Sequence, residues 1–333
     1  MRLPDAEEFQ KIYDALQDET SKKIYKHRLL YSLLGEREEL KEMVETCVSG
    51  GDVVRDLKDL EGRKVCYYGA GAGGLWMVRY NRNVPFLIDR YRTGTLKGLP
   101  ILSLDAFLEL PDCKEYLIII TVSKAEFRQE IAADLERHGL RYVFGFPNFQ
   151  YFDLPELELK NECFADVGAL DGETTEYFLS HFENGHAYVL EPNPEQFSVT
   201  AERLRDCPEV ELFPYGAYDE NTTLRFDTEE GNEGGAKVSE SGGIEIEVHR
   251  LDDLLGGRKV TFLKMDIEGS ELAALRGAER IIREQRPKLA ICVYHKPEDM
   301  WEIPSLILQY DPDYKLYLRH YSLCDLETVL YAI

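Results

Sequence analysis

Three groups of residues have the types and spacing that chemistry needs. The first is Asp166-Val-Gly168-Ala169-Leu-Asp171-Gly172-Glu-Thr174, where the apolar run ECFADVG gives way to the helical pattern TTEYFLSHF. Glycines at such a junction let the backbone approach a ligand, and the helix start offers free N–H groups to an anion. Glu191 closes the next apolar run, AYVLEP, 19 residues beyond Gly172, where a carboxylate can accept both hydroxyls of a ribose. The pattern suits a nucleoside but is not the dinucleotide one. The turn lacks G-x-G-x-x-G, and Asp166 would repel a pyrophosphate. A carboxylate there suits a ligand bearing an ammonium and a carboxylate. S-adenosylmethionine has both, along with a ribose and an adenine.

The second group is Asp266, Glu268 and Glu271, at and just after the end of KVTFLKMDI, with His295 ending KLAICVYH. Acids near a strand end can take a proton, or they can merely favour the start of the helix that follows. Both readings stay open for Glu268 and Glu271. A divalent cation on Asp266, His295 and His320 is conceivable, but no spacing supports it and no metal ligand is assigned. The third group, Gly69-Ala-Gly71-Ala-Gly-Gly74, follows the strand-like KVCYYG and opens a helix, with Asp89 lying 20 residues after Gly69. This meets the dinucleotide fingerprint, although the surrounding unit is only half of a dinucleotide domain. Three readings remain: a nucleotide-sugar site, an NAD site, or a module that keeps the fold without a ligand.

The elements that must position these residues alternate. Residues 1–60 read as helices over 6–16, 21–34 and 36–48, with Ser21 as a cap. Residues 61–147 alternate strand and helix, which requires parallel pairing with right-handed crossovers, a small Rossmann-like module. Residues 148–161 read as a linker, and 162–333 alternate again. In this second stretch a Gly-rich segment, 229–243, is expected to be a mobile loop near the acceptor, and YKLYLRH with TVLYAI is expected to form a closing hairpin. The fold class is therefore α/β, with two consecutive Rossmann-like units preceded by a helical segment.

Bulk composition narrows the function. The 333 residues carry 39 Lys and Arg against 62 Asp and Glu, a net charge of −23. That excludes binding nucleic acid by counterion release and docking on an anionic membrane. An apolar share of 44% supports a packed core. The longest strongly apolar stretch, 116–122, is too short to span a bilayer, and the N-terminus lacks a signal-peptide pattern. Seven cysteines without a C-x-x-C pair read as reduced thiols in a cytoplasmic protein.

The segments FADVGALDGETT (164–175), VLEPNPEQF (189–197), HRLDDLL (249–255) and LKMDIEGSELAALRGA (263–278) resemble the FkbM family of S-adenosylmethionine-dependent methyltransferases. The resemblance covers about residues 160–333. YHKPEDMWEIP (294–304) and ETVLYA (327–332) resemble a subfamily with an N-terminal Rossmann-like module. One departure is Ala169-Leu170, where many methyltransferases have a second glycine. The resemblance implies a class I methyltransferase-type sheet ending in a β-hairpin. It also implies that Asp166 and Gly168 lie at the methionine end of the cofactor, with Ala169, Asp171 and Gly172 in the same turn. Thr174 would reach the cofactor carboxylate, Glu191 the ribose, and Gly216-Ala217 the adenine. Asp266 would face methyl transfer, and Asp266 or His295 would be the base. The expected partner is a small-molecule acceptor, a sugar or nucleotide-sugar, and a homodimer is compatible with this. The rivals are a NAD-dependent oxidoreductase built on Gly69–Gly74 and a non-catalytic nucleotide sensor.

Overall fold

The structure, a computed structural model, describes residues 5–47, 63–80, 83–122, 125–145, 150–227, 237–238, 243–322 and 324–333. It opens with helices α1 (Ala6–Ala15), α2 (Glu19–Leu34) and α3 (Arg37–Cys47). Strands β1 (Lys64–Tyr68), β2 (Leu87–Ile88), β3 (Gly94–Leu96), β4 (Leu99–Leu102), β5 (Tyr116–Ile120) and β6 (Arg141–Phe144) follow. Among them run α4 (Ala72–Tyr80), α5 (Leu104–Leu108) and α6 (Ala125–Arg137). The rest supplies β7 (Cys163–Val167), α7 (Glu173–His181), β8 (His186–Leu190), α8 (Pro194–Arg203), β9 (Val210–Phe213), β10 (Gly216–Ala217), β11 (Thr222–Asp227), β12 (Lys237–Val238), β13 (Ile244–His249) and α9 (Leu251–Leu254). The last elements are β14 (Phe262–Met265), α10 (Glu271–Gly277), α11 (Glu279–Gln285), β15 (Lys288–Cys292), α12 (Asp299–Tyr310), β16 (Leu316–His320) and β17 (Thr328–Ala332).

The chain divides into two compact units, one comprising Met1–Tyr25, Tyr151–Leu318 and Val329–Ile333, the other Lys26–Gln150 and Arg319–Thr328. The second holds a six-stranded sheet of order β3-β4-β2-β1-β5-β6, in which β2, β4, β5 and β6 join parallel pairs. Phe107, Ile118, Ile120 and Leu135 form its core. Strand β2 is only two residues long. A hairpin follows it, with β3 antiparallel to β4. Lys97 and Gly98 both have positive φ, the conformation that a two-residue hairpin turn demands.

The other unit holds a seven-stranded sheet of order β16-β17-β15-β14-β7-β8-β9, with β17 antiparallel to β15. The sheet ends, as expected, on the pair β17 and β16. Phe164 stacks on Phe262 at 5.1 Å and packs on Phe178 at 4.7 Å, welding β7, β14 and α7 together. A smaller sheet, β10-β13-β11-β12, stands apart from it and was not anticipated. Most of the expected 229–243 loop lies outside the described residues. Its Lys237–Val238 forms β12, antiparallel to β11. The helical stretch over 271–285 is divided at Ala278 into α10 and α11. There Gly277 approaches the Tyr218 carbonyl so closely that a Cβ would lie 2.0 Å from its oxygen.

The cap of α2 is corrected. Ser21 lies inside the helix, and the Asp18 carboxylate accepts its N–H at 2.7 Å. The buried Ser21 Oγ instead accepts the Leu318 N–H at 2.9 Å, tying the helix to β16.

Candidate active site

At the carboxyl ends of β7, β8 and β14 lies a cleft with ≈ 960 Å³ of free space, counting its open mouth. Gly168, Glu191, Gly216, Ala217 and Asp266 line it, joined by Leu170, Tyr215, Glu268 and the apolar side chains Leu224, Ile244, Ile246 and Val248 of the small sheet. Five of the residues expected at a ligand thus share one wall. Gly168 has φ +83°, and a Cβ there would stand 2.0 Å from the Asp266 carbonyl oxygen. Only glycine lets the turn after β7 pass this close to the end of β14.

Glu191 braces that turn. Its Oε2 accepts the Leu170 N–H at 2.9 Å and its Oε1 the Asn193 N–H at 2.8 Å. Burial raises its carboxyl from the usual range to about 7, against the lowering effect of those two amides. Ala169 is buried, and its N–H is spent on the Leu190 carbonyl at 3.1 Å.

Other expected residues stand behind the wall. Asp166 is fully buried. Its Oδ1 lies 2.9 Å from Lys264 Nζ and its Oδ2 accepts the Thr175 hydroxyl at 2.7 Å. Lys264 Nζ also donates to the Gly168 carbonyl at 2.6 Å, and the lysine lies over the Tyr151 ring. Asp166 therefore supports the turn from below, and its carboxylate is occupied by the lysine rather than turned to the cleft. Asp171 takes the Glu173 N–H at 3.2 Å and pairs with Arg203 at 3.2 Å, a carboxylate placed at a helix start. Gly172, at φ +80°, is the N-cap of α7, and Thr174 is half-buried outside the cleft lining. The neighbouring Thr175 makes the contact with the acid.

Asp266 forms the cleft's polar corner. Its Oδ2 accepts the Tyr151 hydroxyl at 2.8 Å and its Oδ1 the Tyr294 hydroxyl at 3.0 Å. Burial pushes its carboxyl up, but His295, Lys264 and the two hydroxyls outweigh this and hold it below the usual carboxylate range. His295 lies behind it. Nε2 stands 3.5 Å from Asp266 and 3.6 Å from Glu268, and Nδ1 stands 2.9 Å from Glu271. Burial lowers the imidazole's affinity for a proton, yet the carboxylates raise its pKa to about 10. The surrounding carboxylates thus favour a proton on the imidazole, which makes Asp266 the better placed of the two expected bases. His320 belongs to the other unit. Its Nδ1 lies 2.9 Å from Thr328 Oγ1, and burial drops its pKa to about 3.

In the unit containing Gly69–Gly74, Asp89 also closes its own turn. Its carboxylate accepts the N–H groups of Ala70 at 2.7 Å, Tyr91 at 2.9 Å and Arg92 at 2.8 Å. A Cβ on Gly74 would lie 2.0 Å from the Gly69 carbonyl oxygen, whereas the space beside Gly71 is open. The glycines thus permit helix–strand packing, and three amides already share the acid.

Two participants escaped the sequence reading. Lys264 was legible only as a letter of LKMDIEGSELAALRGA, although a lysine between Leu263 and Met265 in a wholly buried strand signals a buried anion. Tyr151 fell in the expected linker, and nothing local ties it to Asp266, 115 positions away.

Residues 166–321 match the family model described as the methyltransferase FkbM domain. No curated protein matches the chain significantly. Among solved structures, the methyltransferase FkbM from Methylobacillus flagellatus KT is similar at 22% identity and a TM-score of 0.49, covering 92% of this chain and 99% of that one. Fibrillarin from Aeropyrum pernix, with natively bound S-adenosyl-L-methionine, is similar at 14% identity and 0.35, covering 52% and 67%. The precorrin-6y C5,15-methyltransferase from Geobacter metallireducens GS-15 is similar at 14% and 0.35, covering 54% and 83%. It is the family match, rather than these likenesses, that assigns the domain. That match identifies residues 166–321, which carry most of the cleft's lining, as a methyltransferase FkbM domain.

Proposed function

We propose that the enzyme methylates a hydroxyl oxygen of a small polyhydroxylated acceptor, a sugar or a related metabolite. The observation that carries this reading is the cleft itself, where Glu191 and Asp266, at the ends of β8 and β14, face the same space. S-adenosylmethionine supplies an electrophilic methyl on a sulfonium, which an in-line nucleophile removes. The cradle fits it: a glycine at Gly168 where a Cβ has no room, and a carboxylate at Glu191 where a ribose needs an acceptor. Gly216 and Ala217, on the wall with Tyr215, take the adenine.

The chain's own residues do the rest. The walls hold donor and acceptor in line and exclude water, which is most of what methyl transfer requires. One C–S bond breaks, one C–O bond forms, and the hydroxyl proton passes to the Asp266 carboxylate. Glu268 and Tyr294, beside Asp266, supply hydrogen-bonding partners for neighbouring hydroxyls. The imidazolium of His295 orients Asp266 and balances its charge.

The acidic surface favours an uncharged or cationic acceptor over nucleic acid. Among the described residues no helix is long and apolar enough to cross a membrane. Free thiols at Cys66, Cys292 and Cys324 suit the reducing cytoplasm. The division into a helical segment (1–60), a Rossmann-like module (61–147), a linker (148–161) and a methyltransferase domain (162–333) belongs to the same proposal, with the module serving recognition. Asp266→Asn is nearly isosteric and should abolish methyl transfer to a panel of glycosides while S-adenosylmethionine still binds. Undiminished turnover in that variant would remove Asp266 from the chemistry.

A further inference from the structure

Behind the cleft's polar corner lies a group of side chains whose partners by distance are not partners by direction. The side chains of His295 and Glu271 are 5% and 0% exposed, and His295 Nδ1 and Nε2 and Glu271 Oε2 all lack a hydrogen bond. Buried polar atoms rarely go without one, and three in a single cluster call for an explanation. One ligand atom each from Asp266, Glu271 and His295 lies within 4.8 Å of the other two. Around a cation whose oxygen and nitrogen ligands sit at ~2.0–2.2 Å, neighbouring ligands are ~3–3.6 Å apart, so the group closes onto an ion with side-chain shifts of about an ångström or less. Glu268 Oε2, 3.6 Å from Nε2, adds a further carboxylate nearby. Lys264 is engaged on Asp166 and Lys296 on the Gly269 carbonyl.

We propose that a divalent cation binds Asp266, Glu271 and His295 at the inner end of the cleft, displacing the imidazole proton to solvent as it binds. Two carboxylates and one imidazole form a hard, mixed oxygen–nitrogen set, suited to Mn²⁺, Mg²⁺ or Zn²⁺ rather than to a thiophilic ion. Asp266 is 24% exposed and lines the cleft, so the ion has an open side toward the acceptor. Its role rests on the methyl-transfer reading. A cation that receives the acceptor's oxygen makes that hydroxyl more acidic, which eases the transfer of its proton to a carboxylate. Oδ1 faces the ion, and Oδ2 stays available for the proton. The acceptor class narrows accordingly to vicinal diols, whose second oxygen chelates the ion.

The full chain, stripped with EDTA, would be titrated with MnCl₂ and free Mn²⁺ followed by electron paramagnetic resonance, with S-adenosylmethionine binding measured in parallel by calorimetry. One site is expected, weakened ~10–100-fold or more in Glu271→Gln and His295→Ala and unchanged in His27→Ala. His27 belongs to the other candidate group, with Glu39 and Glu42. If His295→Ala fails to fold by circular dichroism, Glu271→Gln and Asp266→Asn decide. No binding at millimolar Mn²⁺, equal binding in all cleft variants, or loss of binding in His27→Ala would overturn the site. Loss of cofactor binding with Mn²⁺ binding intact would instead defeat the methyl-transfer reading and leave the ion in place.

Discussion

Two carboxylates in this molecule illustrate how burial sets a role. Glu191 is buried beside two amides and titrates near 7, so its charge changes within the ordinary working range. A ribose hydroxyl donates best to the ionised form. Cofactor affinity should therefore rise about tenfold between pH 6 and pH 8, as the charged fraction rises. In Glu191→Gln, which keeps the shape and loses the titration, calorimetry should give a flat profile at weaker affinity. A wild-type profile as flat as the variant's would contradict the assignment. For stability the sign is opposite. The folded-state pKa lies above the ordinary carboxylate value, so the folded protein binds more protons between about 4.5 and 7, and this group's contribution falls as pH rises through that window. Asp166 is the other case. Its buried pairing with Lys264 means that Lys264→Met strands a charge, and urea unfolding should show a loss of about 3–5 kcal/mol. The double variant Asp166→Leu/Lys264→Met should recover much of it, and a near-zero effect of Lys264→Met would show that the pair is not closed. Neither orientation was legible in the sequence. Asp166 and Lys264 are direct partners across β7 and β14, yet that register depends on a crossover almost a hundred residues long.

At the scale of elements, the strand–turn–helix junctions were readable and the closures around them were not. Each strand ending in an acid or glycine before a helical stripe announced itself, because period-2 and period-3.6 patterns meet there. The segment over 222–249 did not. Its Gly-rich middle masked the alternation of Thr222–Asp227, so the small sheet whose Leu224, Ile246 and Val248 line the cleft was missed. Helix α12 was obscured by Pro304, which lies inside it. The turn after β7 is the element on which the site most depends. Gly168→Ala should lower the melting temperature and abolish cofactor binding, since the added methyl meets a backbone carbonyl and φ +83° disfavours any side chain. Thermal unfolding and calorimetry on that variant check both effects. A folded, fully binding Gly168→Ala would mean that the turn tolerates displacement from β14.

For the whole molecule, the charge balance and two α/β units were plain from composition and alternation, whereas which unit carries chemistry required geometry. Both units present glycines and an acid at strand ends. The difference lies in what surrounds them: Asp89 is shared by three amides, while Glu191 and Asp266 open onto one cleft. The most direct measurement is isothermal calorimetry of the full chain with S-adenosylmethionine and, separately, NAD. Wild type and two variants would be compared: Glu191→Ala and Gly71→Val, the latter placed where the structure leaves open space. The account predicts one S-adenosylmethionine per chain, bound about 1.5–3 kcal/mol more weakly in Glu191→Ala, where the ribose loses a charged acceptor, and equally well in Gly71→Val. Absence of S-adenosylmethionine binding, or NAD binding that Gly71→Val removes while Glu191→Ala leaves S-adenosylmethionine affinity untouched, would contradict it.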